Sequence, residues 1–373
     1  MAAVATRLAW LSSYGASLSS RQPRPGVQFS TNRHTSAWSV RCSASVQSGT
    51  EVLTTESAAA KADAAAWKAF AERVSGEWDG YGADFTFTGE PLELPSSVVP
   101  DAFRDWGVEI HDWQTMCPTL AVEESQDLSY RVIRLLPTVG CEADAATPYC
   151  NEERTFRVAK TYAFHAQGSY TAVWPGRGAQ KNNPEPGRTG KIVVRDVADD
   201  GQWEVEHCLV TDDGPTRNRA RVLQQFRLDR NVPVLKNITL YIEQWDGPFR
   251  NGESLGGCST SGSGFATTPP LDVQALIGTW HADVFFAPGG QSSSSPKEFC
   301  PGGSSALQRT QVAGIVALPK GLWSSVTVSS QDSSSYIIEA GWMPSPDQCI
   351  VSTCEYLSSG DFKSSSIRFE KRK

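Results

Sequence analysis

The residues best suited to chemistry fall in three short runs. Glu206-His207-Cys208 sets a carboxylate, an imidazole and a thiol in succession, the side chains of acid–base or nucleophilic work. Arg219-x-Arg221 supplies two guanidiniums, and an inward Arg221 could grip a carboxylate or propionate with two bonds. The stretch from Arg157 to Trp174 carries Tyr162, Phe164, Tyr170 and Trp174, rings that can line an apolar cavity. All three runs read as strands, where successive side chains point to opposite faces. His207 therefore turns away from both Glu206 and Cys208, which suits a histidine in a sheet wall better than a catalytic base. Arg219 and Arg221 share one face. The expected ligand-binding residues are Tyr162, Tyr170, Trp174, His207 and Arg221; no catalytic residue is assigned.

Metal and cofactor signatures are equally sparse. Nine cysteines are present, but none forms Cys-x-x-Cys or stands with histidine at zinc spacing, so no metal site is expected. Cys141 and Cys150 flank a loop and are the one pair placed for a redox-sensitive bridge. No phosphate-cradling or dinucleotide glycine pattern occurs, and the cofactor is unknown.

The elements that hold these residues are mostly strands. Trp67, Phe70, Ala71 and Val74 repeat at helical spacing before Ser75-Gly76, which predicts one helix ending there. Strand patterns follow at Tyr81–Thr88, Thr119–Glu123, Tyr130–Leu136, a hairpin from Arg157 to Trp174 turning at residues 165–169, Trp203–Val210, Arg219–Leu228 and Val234–Trp245. Short turns between the last three predict an up-and-down meander. His111-Asp112 beside Trp113 reads as a turn. Residues 251–270 are Gly/Ser/Thr-rich and read as a flexible linker, beyond which a second β-rich block begins at Gly278. In Tyr336–Trp342, Tyr336, Ile338, Ala340 and Trp342 share one face.

Gly76-x-Trp78 and Gly278-x-Trp280 each open a block after a short helical approach, 202 residues apart. Gly-x-Trp at a first strand resembles the calycin barrels, lipocalins among them, in which the tryptophan plugs the closed end and an arginine of the last strand stacks on it. For Trp280 that implies Arg368; for Trp78 no arginine lies in Thr239–Trp245. Gly89-Glu90-Pro91, Glu206–Val210, Arg219-x-Arg221-Val222 and Ile238–Trp245 resemble a plant and cyanobacterial lipocalin-like family of unknown function, the domain of unknown function 3598. The resemblance covers residues 67 to 373. It implies an all-β fold of two tandem lipocalin/calycin-like antiparallel β-barrels with a short N-terminal helix; the linker composition of residues 251–270 divides them into residues 60–250 and 271–373 and predicts that the two fold separately.

Composition bounds the setting. Residues 1–50 hold five Arg, no Lys, no acid and fifteen Ser or Thr, the make-up of an organelle transit peptide, with the mature start near Cys42. The chain carries −7, so removing that +5 segment leaves −12, a charge that repels phosphate backbones and argues against nucleic acid. No apolar run is long enough to span a membrane. The expected protein is a soluble chloroplast (stromal) binding protein for a hydrophobic or tetrapyrrole-like small ligand. A barrel enzyme on a lipophilic substrate, with Glu206 and Cys208 as suspects, and an assembly factor for photosynthetic complexes are the alternatives. Oligomeric state and protein partners are unknown. Intact-mass measurement on protein from isolated plastids should give a start within a few residues of Cys42; retention of residues 1–40 removes the targeting assignment.

Overall fold

The computed structural model describes residues 52–139, 147–175, 190–193, 202–211, 216–229, 232–253, 264–289, 296–312, 314–330, 334–357 and 361–373. Residues 1–51, which include the expected transit peptide, Cys141 and residues 254–263 lie outside the described residues. Leu53–Lys373 form one compact unit. No described helix is long and apolar enough to cross a membrane.

Helix α1 (Val52–Val74) leads into β1 (Glu77–Thr86), and a short α2 (Asp101–Asp105) lies in the connection to β2 (Asp112–Met116). Then follow β3 (Thr119–Val122), β4 (Asp127–Leu135), β5 (Pro148–Thr155), β6 (Thr161–Phe164), β7 (Tyr170–Pro175) and β8 (Gly190–Val193). The first block ends with β9 (Gln202–Thr211), β10 (Asn218–Asp229) and β11 (Val232–Gly247). The second block comprises β12 (Gly278–Pro288), β13 (Lys297–Glu298), β14 (Cys300–Arg309), β15 (Ile315–Ala317), β16 (Leu322–Val328), β17 (Ser335–Ser345), β18 (Gln348–Leu357) and β19 (Phe362–Arg372). The fold is all-β, as the strand patterns predict.

Two sheets result. The larger runs β13-β6-β7-β9-β10-β11-β1-β2-β4-β5-β8, with β3 on β4; the smaller runs β14-β12-β19-β18-β17-β16-β15. Apart from β8 and β13, which add in parallel at the edges, the larger sheet follows chain order round a ring that is broken between β5 and β6. It curls strongly: the Tyr130 hydroxyl of β4 donates to Glu206 of β9, five places away in the strand order. Neither sheet closes into a barrel among the described residues.

The twin Gly-x-Trp runs build the same device twice. Gly76 and Gly278 adopt φ +142° and +140°, a region open to glycine, and turn the chain from its helical approach into the first strand. The buried indoles of Trp78 and Trp280 donate back to Val74 O at 2.9 Å and Leu276 O at 3.0 Å. A guanidinium covers each ring: Arg219 lies 4.3 Å from the Trp78 centroid and Arg372 lies 4.5 Å from that of Trp280. Arg368 is not that partner. It pairs across β12 with Val284, four residues beyond Trp280, whereas Arg372 stands opposite Trp280 itself. For Trp78 the arginine comes from β10, next to the last strand, which is why scanning Thr239–Trp245 misses it. Helix α1 seals this end, with Trp67, Phe70, Ala71 and Val74 packed in one cluster with Phe164 and Tyr170.

The sheets share a core. Ala83, Leu209, Val222 and Leu240 of the first pack with Leu322, Ala340, Ile350 and Ile367 of the second. Within residues 251–270, the described end is not a free linker: Phe265 and Ala266 are buried in that core, and their amides donate to Asp112 at 2.8 and 3.0 Å. This explains why Asp112 and Trp113 stand in β2 rather than in a turn. Other strands escaped the sequence patterns too. β14 reads CPGGSSALQR, poor strand-forming text, and it is held by pairing with β12 at a sheet edge, where Pro301 costs no ladder bond. Cys349 and Cys354 fall in different core clusters, on opposite faces of β18.

A polar seam crosses the sheet interface. His207 bonds Ser352 through Nδ1 at 2.8 Å and Gln224 through Nε2 at 3.0 Å, while Gln224 donates to Ser324 at 2.7 Å. Thr171 meets the same Ser352 at 2.6 Å. His165 packs between Phe285 and Phe369. Burial lowers both histidines from 6.5 to about 4.

Two expectations follow from this packing. Trp78→Ala or Trp280→Ala should lower stability by about 3–5 kcal/mol in urea melts, as aromatic truncation in a core does, and a loss near zero removes the plug role. Above pH 6.5 both histidines are neutral, folded or unfolded. As pH falls from 6.5 toward 4, the unfolded chain binds protons that the folded chain refuses, so stability falls across that window. Denaturant melts at stepped pH should show the slope, and His207→Gln should reduce it; an unaltered slope assigns it to other groups.

Candidate functional site

Register decides which side chains meet inside the curl. Across β9, β10 and β11, Cys208 stands opposite Arg221, which stands opposite Tyr241, while Arg219 stands opposite Glu243. Glu206 shares the Cys208 face, and β7 adds Tyr170, Ala172 and Trp174. β4 and β5 bring Tyr130, Glu152 and Arg154. Gly82 makes room in β1, since a Cβ there would lie 2.6 Å from the Tyr241 ring.

The inner face is a lattice of buried charge. Glu206 accepts from Tyr130 Oη at 2.6 Å, Trp174 Nε1 at 2.7 Å, Tyr170 Oη at 2.8 Å and Arg221 Nη1 at 3.3 Å. Glu243 accepts from Arg219 Nε at 2.7 Å and from Arg221 at 2.8 and 2.9 Å. Arg154 bridges Glu152 and Glu204 at 2.6 and 2.7 Å, and Arg134 donates to Tyr241 Oη at 2.9 Å. Burial pushes the Glu243 carboxyl up, but the Arg219 and Arg221 guanidiniums outweigh it and hold the group at about 2. Burial, then the nearby Glu206 carboxylate, keeps the Tyr130 and Tyr170 phenols well above their usual range. Burial likewise pushes the Cys208 thiol up to about 12.

Four of the five expected binding residues, Tyr162, Tyr170, Trp174 and Arg221, thus belong to the inner face, where the last three grip Glu206 and Tyr162 donates to Gln126 O at 3.1 Å. His207 does not join them. It faces the second sheet, because odd and even positions of β9 diverge. Arg221 and His207 therefore cannot contact one ligand. Arg368 serves a smaller ion cluster of the second sheet, donating to Glu339 at 2.9 Å and Glu370 at 3.2 Å. Cys208 and Glu206 do share a face, but a neutral thiol is a poor nucleophile. The run Gly252-Glu253-Ser254-Leu255-Gly256 spells a nucleophile elbow; Gly252 stands in a turn and not at a strand end, and Ser254 lies outside the described residues. No cluster of three or more metal-ligating side chains occurs among the described residues.

Space opens at the end of the curl opposite α1. A pocket of about 280 Å³ is lined by Gln202, Trp203, Glu204, Gln225, Phe226, Lys236 and Asn237. Its cause is a β-bulge. Gln225 pairs with Asn237 and Phe226 with Leu235, so Lys236 is left unpaired in the ladder and the strands part. Trp203 and Phe226 stack at 5.4 Å on the side toward the second sheet, where both are buried in one cluster with Ile338, Cys354 and Tyr356. Gln225 donates to Glu204 at 2.8 Å, joining the pocket to the Arg154 end of the lattice. Sequence patterns do not reveal this site, since a one-residue bulge leaves no mark in strand text; the adjacency of Trp203 and Phe226 needs the register.

No family model matches the chain, and no curated protein matches it. Among solved structures it is similar to a protein of unknown function of the DUF3598 family from Nostoc punctiforme, with 16% identity over 82% of this chain and 98% of that one and a TM-score of 0.47. Kievitone hydratase from Nectria haematococca shows 7% identity over 80% of this chain and 90% of that one, with a TM-score of 0.17.

Proposed function

We propose that the chain is a plastid binding protein for a small hydrophobic molecule with an acidic end, taken at the bulge pocket. The observation that carries this reading is the pocket itself: a stacked Trp203–Phe226 wall beside an exposed Lys236. An apolar group enters beside these rings, which are themselves mostly packed between the sheets, and the ammonium meets the carboxylate or carbonyl. About 280 Å³ lies just below the usual range for ligand sites, so an isoprenoid tail or one ring system enters, and a tetrapyrrole inserts only in part. The paired glycines, plugging tryptophans and covering arginines support the further reading of two lipocalin-like units of the domain of unknown function 3598 type, and the first fifty residues support the plastid.

Catalysis fits the site less well. On the inner face Glu206 and Glu243 are saturated by their donors, and burial pushes the Cys208 thiol and the Tyr130 and Tyr170 phenols up, whereas general acid–base work needs a group poised near neutrality. Native mass spectrometry of the protein from isolated plastids should reveal a bound lipid, carotenoid or tetrapyrrole-derived molecule, lost in Lys236→Glu. Lys236 is exposed, so the substitution leaves the fold intact. Bare protein that also binds nothing from a panel of plastid lipids and pigments overturns the carrier and leaves the assembly factor.

A further inference from the structure

Large apolar side chains that face solvent are concentrated at one end of the molecule. Strand directions set which end. β1 runs from the Trp78 plug toward Thr86, β4 runs the same way, and the β10–β11 turn opens at Asp229–Val232. Six of the eight exposed large apolar side chains among the described residues leave from this pocket end: Phe87, Leu92, Trp106, Val108, Val139 and Val232. They come from the turns of five strands adjacent in the sheet, β10-β11-β1-β2-β4. Trp106 is 63% exposed, although its edge meets Phe103 at 5.9 Å, and Phe87 is 58% exposed.

We infer that this end docks on a lipid bilayer of uncharged or zwitterionic headgroups. Four of these side chains leave the β1–β2 connection and the other two the end of β4 and the β10–β11 turn, with polar residues between them. That is a set of shallow anchors for the headgroup–acyl boundary, where tryptophan and phenylalanine settle, and not the flat packed patch of a protein interface. Charge selects the headgroup. The connection from Phe87 to His111 carries Glu90, Glu93, Asp101, Asp105 and Glu109 against Arg104 alone. Among the described residues at the same end Arg227 and Lys236 stand beside Asp229, so acids exceed bases there. Such a surface is repelled by anionic lipid and indifferent to neutral lipid. The pocket opens at the docked end, so an apolar ligand would pass between bilayer and protein without crossing water. That last step rests on the carrier reading; the docking itself does not.

Vesicle flotation of the chain from Cys42 onward, the form expected after import, tests the surface. The chain should float with phosphatidylcholine vesicles, and Phe87→Ser combined with Trp106→Ser should weaken that binding at least tenfold. Phe286→Ser, which removes an exposed ring of the second sheet, should change nothing. Replacing part of the lipid with phosphatidylglycerol should weaken binding. Circular dichroism checks that the double variant is folded. A wild-type chain that stays unbound, a double variant that floats as well, or binding strengthened by phosphatidylglycerol overturns the docking. So does a wild-type dimer, seen in sedimentation, that the double variant abolishes, because a second copy then covers the surface. A chain that floats yet carries no ligand in native mass spectrometry retires the carrier and leaves the docking in place.

Discussion

Burying Glu206 and Glu243 is the constraint on which the first sheet depends. A carboxylate taken from water into a packed interior is tolerable only when donors replace the lost hydration. Here the donors come from β4, β7 and β10 around Glu206, and from two positions of β10 around Glu243. Those strands are therefore fixed relative to one another by a few angular bonds. Removing one partner would strand a charge, which typically costs about 3–5 kcal/mol, whereas an apolar interior would tolerate small slips. Fixed geometry of this kind gives one curl and one register, and the curl in turn places the bulge of β10 and β11 at its open end.

The arrangement inverts a common pattern. Antiparallel sheets usually turn their apolar face to the core and their polar face outward. In this sheet the inside of the curl is charged, while the back is apolar and buried under the second sheet. Every residue of β9 from Trp203 to Thr211 is buried. The second sheet thus covers the larger sheet's apolar back, and the seam through His207, Gln224 and Ser352 sets how the two faces align. A buried histidine with both nitrogens bonded is well suited to that, since any slide of the sheets leaves polar atoms unpaired.

The two ends of the first sheet divide its tasks. The α1 end is closed by rings, a guanidinium-covered indole and helix side chains, all densely packed. The opposite end has a parted ladder, an exposed lysine and turns that carry solvent-exposed rings. Binding sites tend to sit where a rigid scaffold stops and its loops begin, and this asymmetry follows that rule. The lattice lends rigidity to the pocket's inner wall through Glu204, so a ligand need not order that side on arrival.

Local text alone determined much of the molecule. Alternation and turn residues marked most strands, the spacing of Trp67, Phe70, Ala71 and Val74 marked the helix face, and the two Gly-x-Trp runs marked where each block begins. Those features depend on neighbours within a few residues, so the sequence carries them openly. The inward face of β9 was also legible, because a period of two separates His207 from Glu206 and Cys208. What the tertiary structure decided is everything that depends on pairing between distant strands. It chose Arg372 over Arg368 for Trp280 and Arg219 for Trp78, because register and not strand membership sets which guanidinium reaches a ring. It made β14 a strand despite its Pro, Gly and Ser, because β12 supplies the hydrogen bonds. It brought Tyr170, Trp174 and Arg221 together on Glu206, and it opened the pocket at Lys236. One unpaired residue there displaces the ladder, and such a displacement exists only between two strands, never within the text of either.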